Sequence, residues 1–266
     1  MLIILAGLSI LTGFLSGMLG IGGGIIMAPL LLYVPPVFGL PGLCMHTVAG
    51  LTIVQGLTSC VIGALTHKKF NYVSGKLMGW MGATIFAAAF VGGSCSVNLR
   101  DSTLLGIFGL LAFVASLLVF VPTRTDCEDP DISEFSFSRL RAVTVSGSVG
   151  LIGGLVGQGG SFILIPLMTS CMQVPTRIAV GSNLAVVFLS TLAAFLGKAF
   201  TSQIDWLLAI PIVVCVVPAA YFGGQVSRRL PVVILRRILA VCIALASVWI
   251  GMLALQPPHV LNCIHG

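Results

Sequence analysis

The sequence predicts an all-α polytopic membrane protein built from two inverted repeats. Each repeat is a glycine-broken re-entrant or helical hairpin followed by three transmembrane helices, about 8–10 membrane segments in all. Three observations carry this. Hydrophobic residues make up 58% of the chain and charged residues 8%, where a soluble domain carries about 25% charged residues. Apolar runs of about 20 residues recur from end to end, each long enough to cross a hydrocarbon core. The alternating segments of roughly ten residues that mark a membrane β-barrel do not occur. Finally, the string GMLGIGGGIIMAPLL (Gly17–Leu31) returns as GLVGQGGSFILIPLM (Gly154–Met168).

The repeat divides the chain. Gly17, Gly20, Gly22, Gly23, Pro29 and Leu30 match Gly154, Gly157, Gly159, Gly160, Pro166 and Leu167 at one offset, that from 17 to 154. Further on, Ala49–Leu51 lines up with Val180–Ser182, and Gly92–Gly93 with Gly223–Gly224, at the offset from 92 to 223. The expected units are a first transmembrane repeat at 1–122, a polar linker at 123–139, a second repeat at 140–255 and a short tail at 256–266.

Within the first repeat, segment A (2–33) is too long for a simple span and is interrupted by glycines. Spans B (43–66), C (75–97) and D (103–122) follow as ordinary apolar runs. The second repeat reads the same way, as A′ (141–173), B′ (178–199), C′ (206–227) and D′ (232–255).

Charge placement decides how segment A runs. Five of the seven acidic residues (Asp126, Glu128, Asp129, Asp131 and Glu134) sit in the linker. The basic residues gather in short loops: Lys68, Lys69 and Lys76, then Arg139 and Arg141, then Arg228, Arg229, Arg236 and Arg237. The net charge of +6 thus reads as an orientation signal and gives no reason to expect nucleic acid. With the B–C loop in the cytoplasm, the linker is cytoplasmic too. The four arginines of the C′–D′ loop then fall inside only if A′ enters and returns on one side. Each copy consequently makes an odd number of changes of side, and the copies are inverted. The expected location is the cell membrane, multi-pass, with the N-terminus outside. MLIILAGLSI lacks the positive n-region of a cleavable signal.

Non-helical backbone inside a bilayer must be buried in protein or line a cavity, since each unpaired peptide group costs several kcal/mol. The breaks at Gly20, Gly22, Gly23 and Gly24 and at Gly157, Gln158, Gly159, Gly160 and Ser161 are therefore the candidate substrate site. The short helix after each break points its free N–H groups and partial positive charge back at it. Two such starts converging at the midplane make an anion site needing no lysine or arginine. Gln158 and Ser161 add side-chain donors, and Thr52 and Asn183, equivalent in B and B′, face the same region. Glycine clusters also serve close helix packing, which leaves open a non-transporting accessory or assembly subunit. An intramembrane enzyme is a weaker alternative, because no Ser/His, Cys/His or paired-carboxylate arrangement falls at plausible depth.

No Asp or Glu lies in the middle of a span, which argues against a cation carrier with an embedded carboxylate relay. His46 and His67 lie near span ends and read as interfacial. Four scattered histidines have no metal-ligand spacing, and no cofactor or metal is expected. The eight cysteines contain no C-x-x-C. Those in apolar spans, among them Cys44, Cys60, Cys95 and Cys215, read as small buried thiols.

GxxGxGGGxxxxPxL near the N-terminus, repeated as GxxGxGGSxxxxPLM, resembles the sulfite exporter TauE/SafE family, also called the 4-toluene sulfonate uptake permeases. The likeness extends over nearly the whole chain. It implies a multi-pass transporter of sulfite, sulfonates or related small organosulfur anions, with the lipid bilayer as its other partner; a homo-oligomer is compatible with it. The two hairpins differ, with Gln158 and Ser161 where the first copy has Ile21 and Gly24.

Overall fold

A computed structural model describes residues 1–19, 24–67, 75–120, 139–170 and 176–227, with single helical positions at 238, 241 and 245. Gly20, Gly22 and Gly23, almost all of the linker and of D′, and the tail lie outside the described residues. Among those described there is no strand. The helices are α1 (Leu2–Leu19), α2 (Gly24–Val37), α3 (Met45–His67), α4 (Gly75–Cys95), α5 (Asp101–Phe120), α6 (Arg139–Val156), α7 (Ser161–Ser170), α8 (Thr176–Phe200) and α9 (Trp206–Ser227). A 3-10 turn, Ser96–Asn98, extends α4. Six described helices are long and apolar enough to cross a membrane, and two shorter apolar stretches, Gly24–Val37 and Ala185–Phe200, accompany them. The protein is an all-α polytopic membrane protein. Its outer surface carries Ile3, Leu140, Phe200 and Leu207 largely exposed, as lipid-facing positions require.

Both long glycine segments are broken, and both fold back. Thr12 Oγ1 of α1 lies 3.3 Å from Met27 Sδ of α2. In one continuous helix, fifteen residues would separate them by about 22 Å. In the second copy, Gly160 packs on Val149 and against Gly153. Pro29 and Pro166 each take the sixth place of the returning helix, α2 or α7, where proline removes one helical hydrogen bond. α2 runs on to Val37, four residues past the expected end of segment A, through Pro35 and Pro36.

Glycine contacts fix which helices run together. Gly13 and Gly17 of α1 meet Val216 and Ala220 of α9, and Gly223 meets Phe14. Gly150 and Gly154 of α6 meet Ile85 and Ala89 of α4, and Gly92 meets Leu151. α1 therefore runs parallel to α9, and α4 parallel to α6. These are the two most extensive contacts among the described helices, followed by α4 on α8 and α3 on α9. The starts of α3, α5 and α9 gather at one end with the finishes of α4 and α8, linked by His46, Asp101, Ser96, Lys198 and Gln203. At the other end the Arg139 guanidinium lies 5.6 Å over the Trp80 ring, tying the starts of α6 and α4 by a cation–π contact.

Without hydrophobic drive between helices in lipid, such seams rest on close approach at small residues. A Cβ on Gly17 would run into the Ala220 backbone. Gly17→Val is expected to destabilise the fold by about 1–3 kcal/mol, seen as a lower melting temperature in detergent. Gly7→Val, on the same helix with open space around it, should leave that temperature nearly unchanged.

Candidate functional site

The second break is a closed piece of hydrogen-bond accounting. α6 ends at Val156, and Gly157 follows at φ +77°. Gln158 N–H donates to Gly153 O at 2.9 Å and Gly157 N–H to Gly154 O at 3.2 Å, the paired bonds of a Schellman cap with glycine in the left-handed position. Gly159 (φ +60°) and Gly160 (φ +70°) continue the left-handed backbone, and Gly159 N–H also donates to Gly153 O. α7 then starts at Ser161, so the N–H groups of its first turn face the break, as at any helix start.

Several of the expected site residues come together here. Gly24, at the start of α2, abuts the Gln158 carboxamide so closely that a Cβ on it would collide. Gly157 sits against the Ala49 carbonyl of α3. One turn on, Thr52 Oγ1 lies 3.2 Å from both Gly157 O and Ala49 O and donates toward them. Gly159 packs on Thr191 of α8 and Gly160 on Val149. Gln158, Thr52 and Asn183 are buried. No described hydrogen bond joins Asn183 to the group, and both its amide atoms lack a partner among the described residues. Ser161 opens α7, but its side chain, like Gly20, Gly22 and Gly23, lies outside the described residues.

Buried polar residues line both α3 and α8. On α3, Thr52, Gln55 and Ser59 share one buried face at three- and four-residue spacing. On α8, Asn183, Ser190 and Lys198 are buried two turns apart in succession, over about 22 Å of helix. The helices pack together, and the Cys60 thiol shares a side-chain hydrogen bond with Thr191. Gln55 Nε2 donates to Thr12 Oγ1 at 2.8 Å, drawing α1 in. Gln55 Oε1 and the hydroxyls of Ser16, Ser59 and Ser190 are buried without partners among the described residues. Buried polar groups are normally satisfied.

Lys198 was not anticipated. It is fully buried, and its Nζ donates to Ser96 Oγ (2.8 Å), Gln203 Oε1 (3.1 Å) and Leu155 O (3.3 Å). Leu155 O belongs to the last turn of α6, so an ammonium stands at that helix's negative end. The only sequence signal was one lysine in FLGKAF, next to the expected end of B′. His46 is more than interfacial: Nδ1 lies 2.6 Å from Asp101 Oδ1, and Nε2 3.1 Å from Ser96 O. Of the thiols read as buried, Cys60 is, Cys44 and Cys215 are partly so, and Cys95 is exposed, because it lies on the outer side of α4.

The family model described as sulfite exporter TauE/SafE matches residues 5–250, nearly the whole chain. The chain belongs to this family. Among curated relatives of this TauE/SafE protein, the probable membrane transporter protein YunE of Bacillus subtilis (strain 168) is 23% identical, covering 94% of the chain and 98% of the relative. A probable membrane transporter protein of Xylella fastidiosa (strain 9a5c) is 28% identical over 86% of the chain and 85% of its own length. The probable membrane transporter protein MJ0441 of Methanocaldococcus jannaschii is 25% identical over 73% of each. No solved structure matches the TauE/SafE chain significantly. Taken with six membrane-length helices, the family makes this a multi-pass membrane protein of a transporter family.

Proposed function

We propose that the protein is a secondary transporter of a small sulfur-containing anion, sulfite or a sulfonate, bound at mid-membrane between the two glycine breaks. The observation that carries this reading is the contact of Gly24 with the Gln158 carboxamide, which joins the two breaks from far apart in sequence. In this reading Gly20, Gly22, Gly23 and Gly24, with Gly157, Gly159 and Gly160, let the backbone unwind and bring N–H groups to an oxyanion. Gln158, Ser161, Thr52 and Asn183 supply side-chain hydrogen bonds. The starts of α2 and α7 add their partial positive charge.

The site would sit between inverted copies, 1–122 and 140–255. Support comes from reciprocity: the first helix of each copy lies parallel to the third span of the other, α1 with α9 and α6 with α4. Inverted repeats with broken helices at mid-membrane suit alternating access. By the positive-inside rule the linker and Ser227 are cytoplasmic. A Ser227→Cys variant should resist an impermeant thiol reagent applied to intact cells, compared against the same chain without the added cysteine. Strong extra labelling from outside would reject the inverted arrangement.

Proteoliposomes holding the protein should move sulfite or a sulfonate, and a thermal-shift screen with sulfite, sulfate, thiosulfate, taurine and sulfoacetate ranks the ligands. Gly159→Leu should reduce flux at least about tenfold, the scale of about 1.4 kcal/mol, since its side chain would enter the break against Thr191. Wild-type flux in correctly inserted Gly159→Leu protein would sink the glycine-break site.

A further inference from the structure

Lys198 poses a charge problem that its hydrogen bonds do not solve. Its three ammonium protons meet three acceptors, Ser96 Oγ, Gln203 Oε1 and Leu155 O, all of them neutral. Among the described residues no carboxylate pairs with it. Asp101 is engaged by His46, and Asp205 caps α9 through the N–H groups of Leu207 and Leu208 at 3.0 and 3.2 Å. Removing an ion from water costs several kcal/mol unless an opposite charge compensates. For filling space alone, methionine would serve as well or better, since replacing buried charges by apolar groups of similar volume is often neutral or stabilising.

The surroundings suit a ligand that carries the missing charge. The Gln203 carboxamide turns Oε1 to the ammonium and Nε2 to Gly93 O, at 3.1 Å. Rotating that amide would withdraw an acceptor and present a donor to a newcomer. Ser96 Oγ lies 2.8 Å from both Lys198 Nζ and Gln203 Oε1, and its hydroxyl can turn in the same way. The cluster also stands between the second glycine break and a partly exposed ion pair. On one side Leu155 O stands two residues before Gly157. On the other, the backbone oxygen of Ser96 contacts His46, which with Asp101 is about a quarter exposed, at 26% and 22%. At the offset relating B to B′, Lys198 corresponds to His67 in the first copy and Ser96 to Ser227 in the second, so basic and hydroxyl character recur at the equivalent positions.

We propose that Lys198, Ser96 and Gln203 form a second oxyanion subsite, between the exposed end of the helix bundle and the glycine break, which takes a sulfur oxyanion on its way to or from the midplane. The subsite rests on the anion-transport reading. On arrival the anion replaces Gln203 Oε1 as partner of the ammonium and accepts from the Ser96 hydroxyl and the turned Gln203 amide. Lys198 thereby supplies a full positive charge on the path.

The test uses the full-length protein in proteoliposomes with radiolabelled sulfite, comparing wild type with Lys198→Met, Lys198→Arg and Ser96→Ala. Lys198→Met is expected to raise the sulfite KM at least about tenfold, the size of effect that follows loss of a buried charge partner. Lys198→Arg should bring it back to within about threefold of wild type. Without anion, Lys198→Met should melt at or above the wild-type temperature, with the stabilisation by sulfite much reduced. A wild-type KM in Lys198→Met overturns the subsite. So does a variant whose only defect is a lower melting temperature without sulfite, since that marks a structural lysine. If Lys198→Met fails to insert, Ser96→Ala decides: a KM raised about threefold or more supports the subsite, and an unchanged KM overturns it. Wild-type vesicles that move none of the sulfur oxyanions would overturn the transport reading itself, a result visible before any variant is compared.

Discussion

Gly157→Ala is expected to cut anion flux at least about tenfold and to lower the melting temperature of the purified protein. Two independent effects converge on this residue. Its φ of +77° costs an L-residue roughly 1–2 kcal/mol. Its Cβ would also strike the Ala49 carbonyl, which is backbone and cannot swing aside. To make room, α3 must part from the α6 cap, and the contact of Thr52 Oγ1 with Gly157 O stretches, a further loss of about 1 kcal/mol. Gly39 separates the two effects. It has φ +71° with nothing within 4 Å of a built Cβ. Gly39→Ala should show the backbone penalty alone and retain transport. Equal loss of flux in both variants would mean that strain, and not crowding at the break, is responsible.

The second large effect is a rescue. Gly24→Ala drives a methyl group into the Gln158 carboxamide, pushing the two breaks apart, and flux should fall about tenfold. Gln158→Ala in the same molecule removes the obstacle. The double variant should therefore melt higher than Gly24→Ala alone, with an interaction energy of about 1–3 kcal/mol in a double-mutant cycle. Purely additive effects would show that the two residues do not press on one another in the working protein. Flux in the double variant reports separately on whether Gln158 contributes hydrogen bonds to the ligand.

How much of this was legible in the sequence depends on whether the signal was local. The broken segments were legible, because glycines at matching offsets and a proline at the same distance behind each leave few helical alternatives. The span limits of α3, α4, α8 and α9 fell within two or three residues of the expected ones, since apolar runs bounded by charge or turn residues mark them. Thr52 could be named as polar on a buried face, but its partner Gly157 could not, because that contact depends on how α3 meets α6. Lys198 was missed for a related reason. Near a span end, a lysine ordinarily extends its amine toward the interface. Here α4 tightens into a 3-10 turn at Ser96–Asn98 and the turn before α9 brings Gln203 across, so the amine is held inward by Ser96 and Gln203. Cys95 went wrong in the opposite sense, since a thiol in an apolar helix says nothing of which side faces lipid.

The parallel seams have a consequence for biogenesis. Among the described residues, Gly13 and Gly17 of α1 find their mates, Val216 and Ala220, on α9, which is synthesised some 200 positions later. Until then the leading hairpin waits in the bilayer with its contact face open to lipid, where any other small-residue helix is a competitor. Among the described helices, the first helix of each half packs most closely on a helix of the other half. A chain that stops after α5 leaves the glycine face of α1 unmatched, and separately expressed halves should acquire resistance to protease only once both are present in the same membrane.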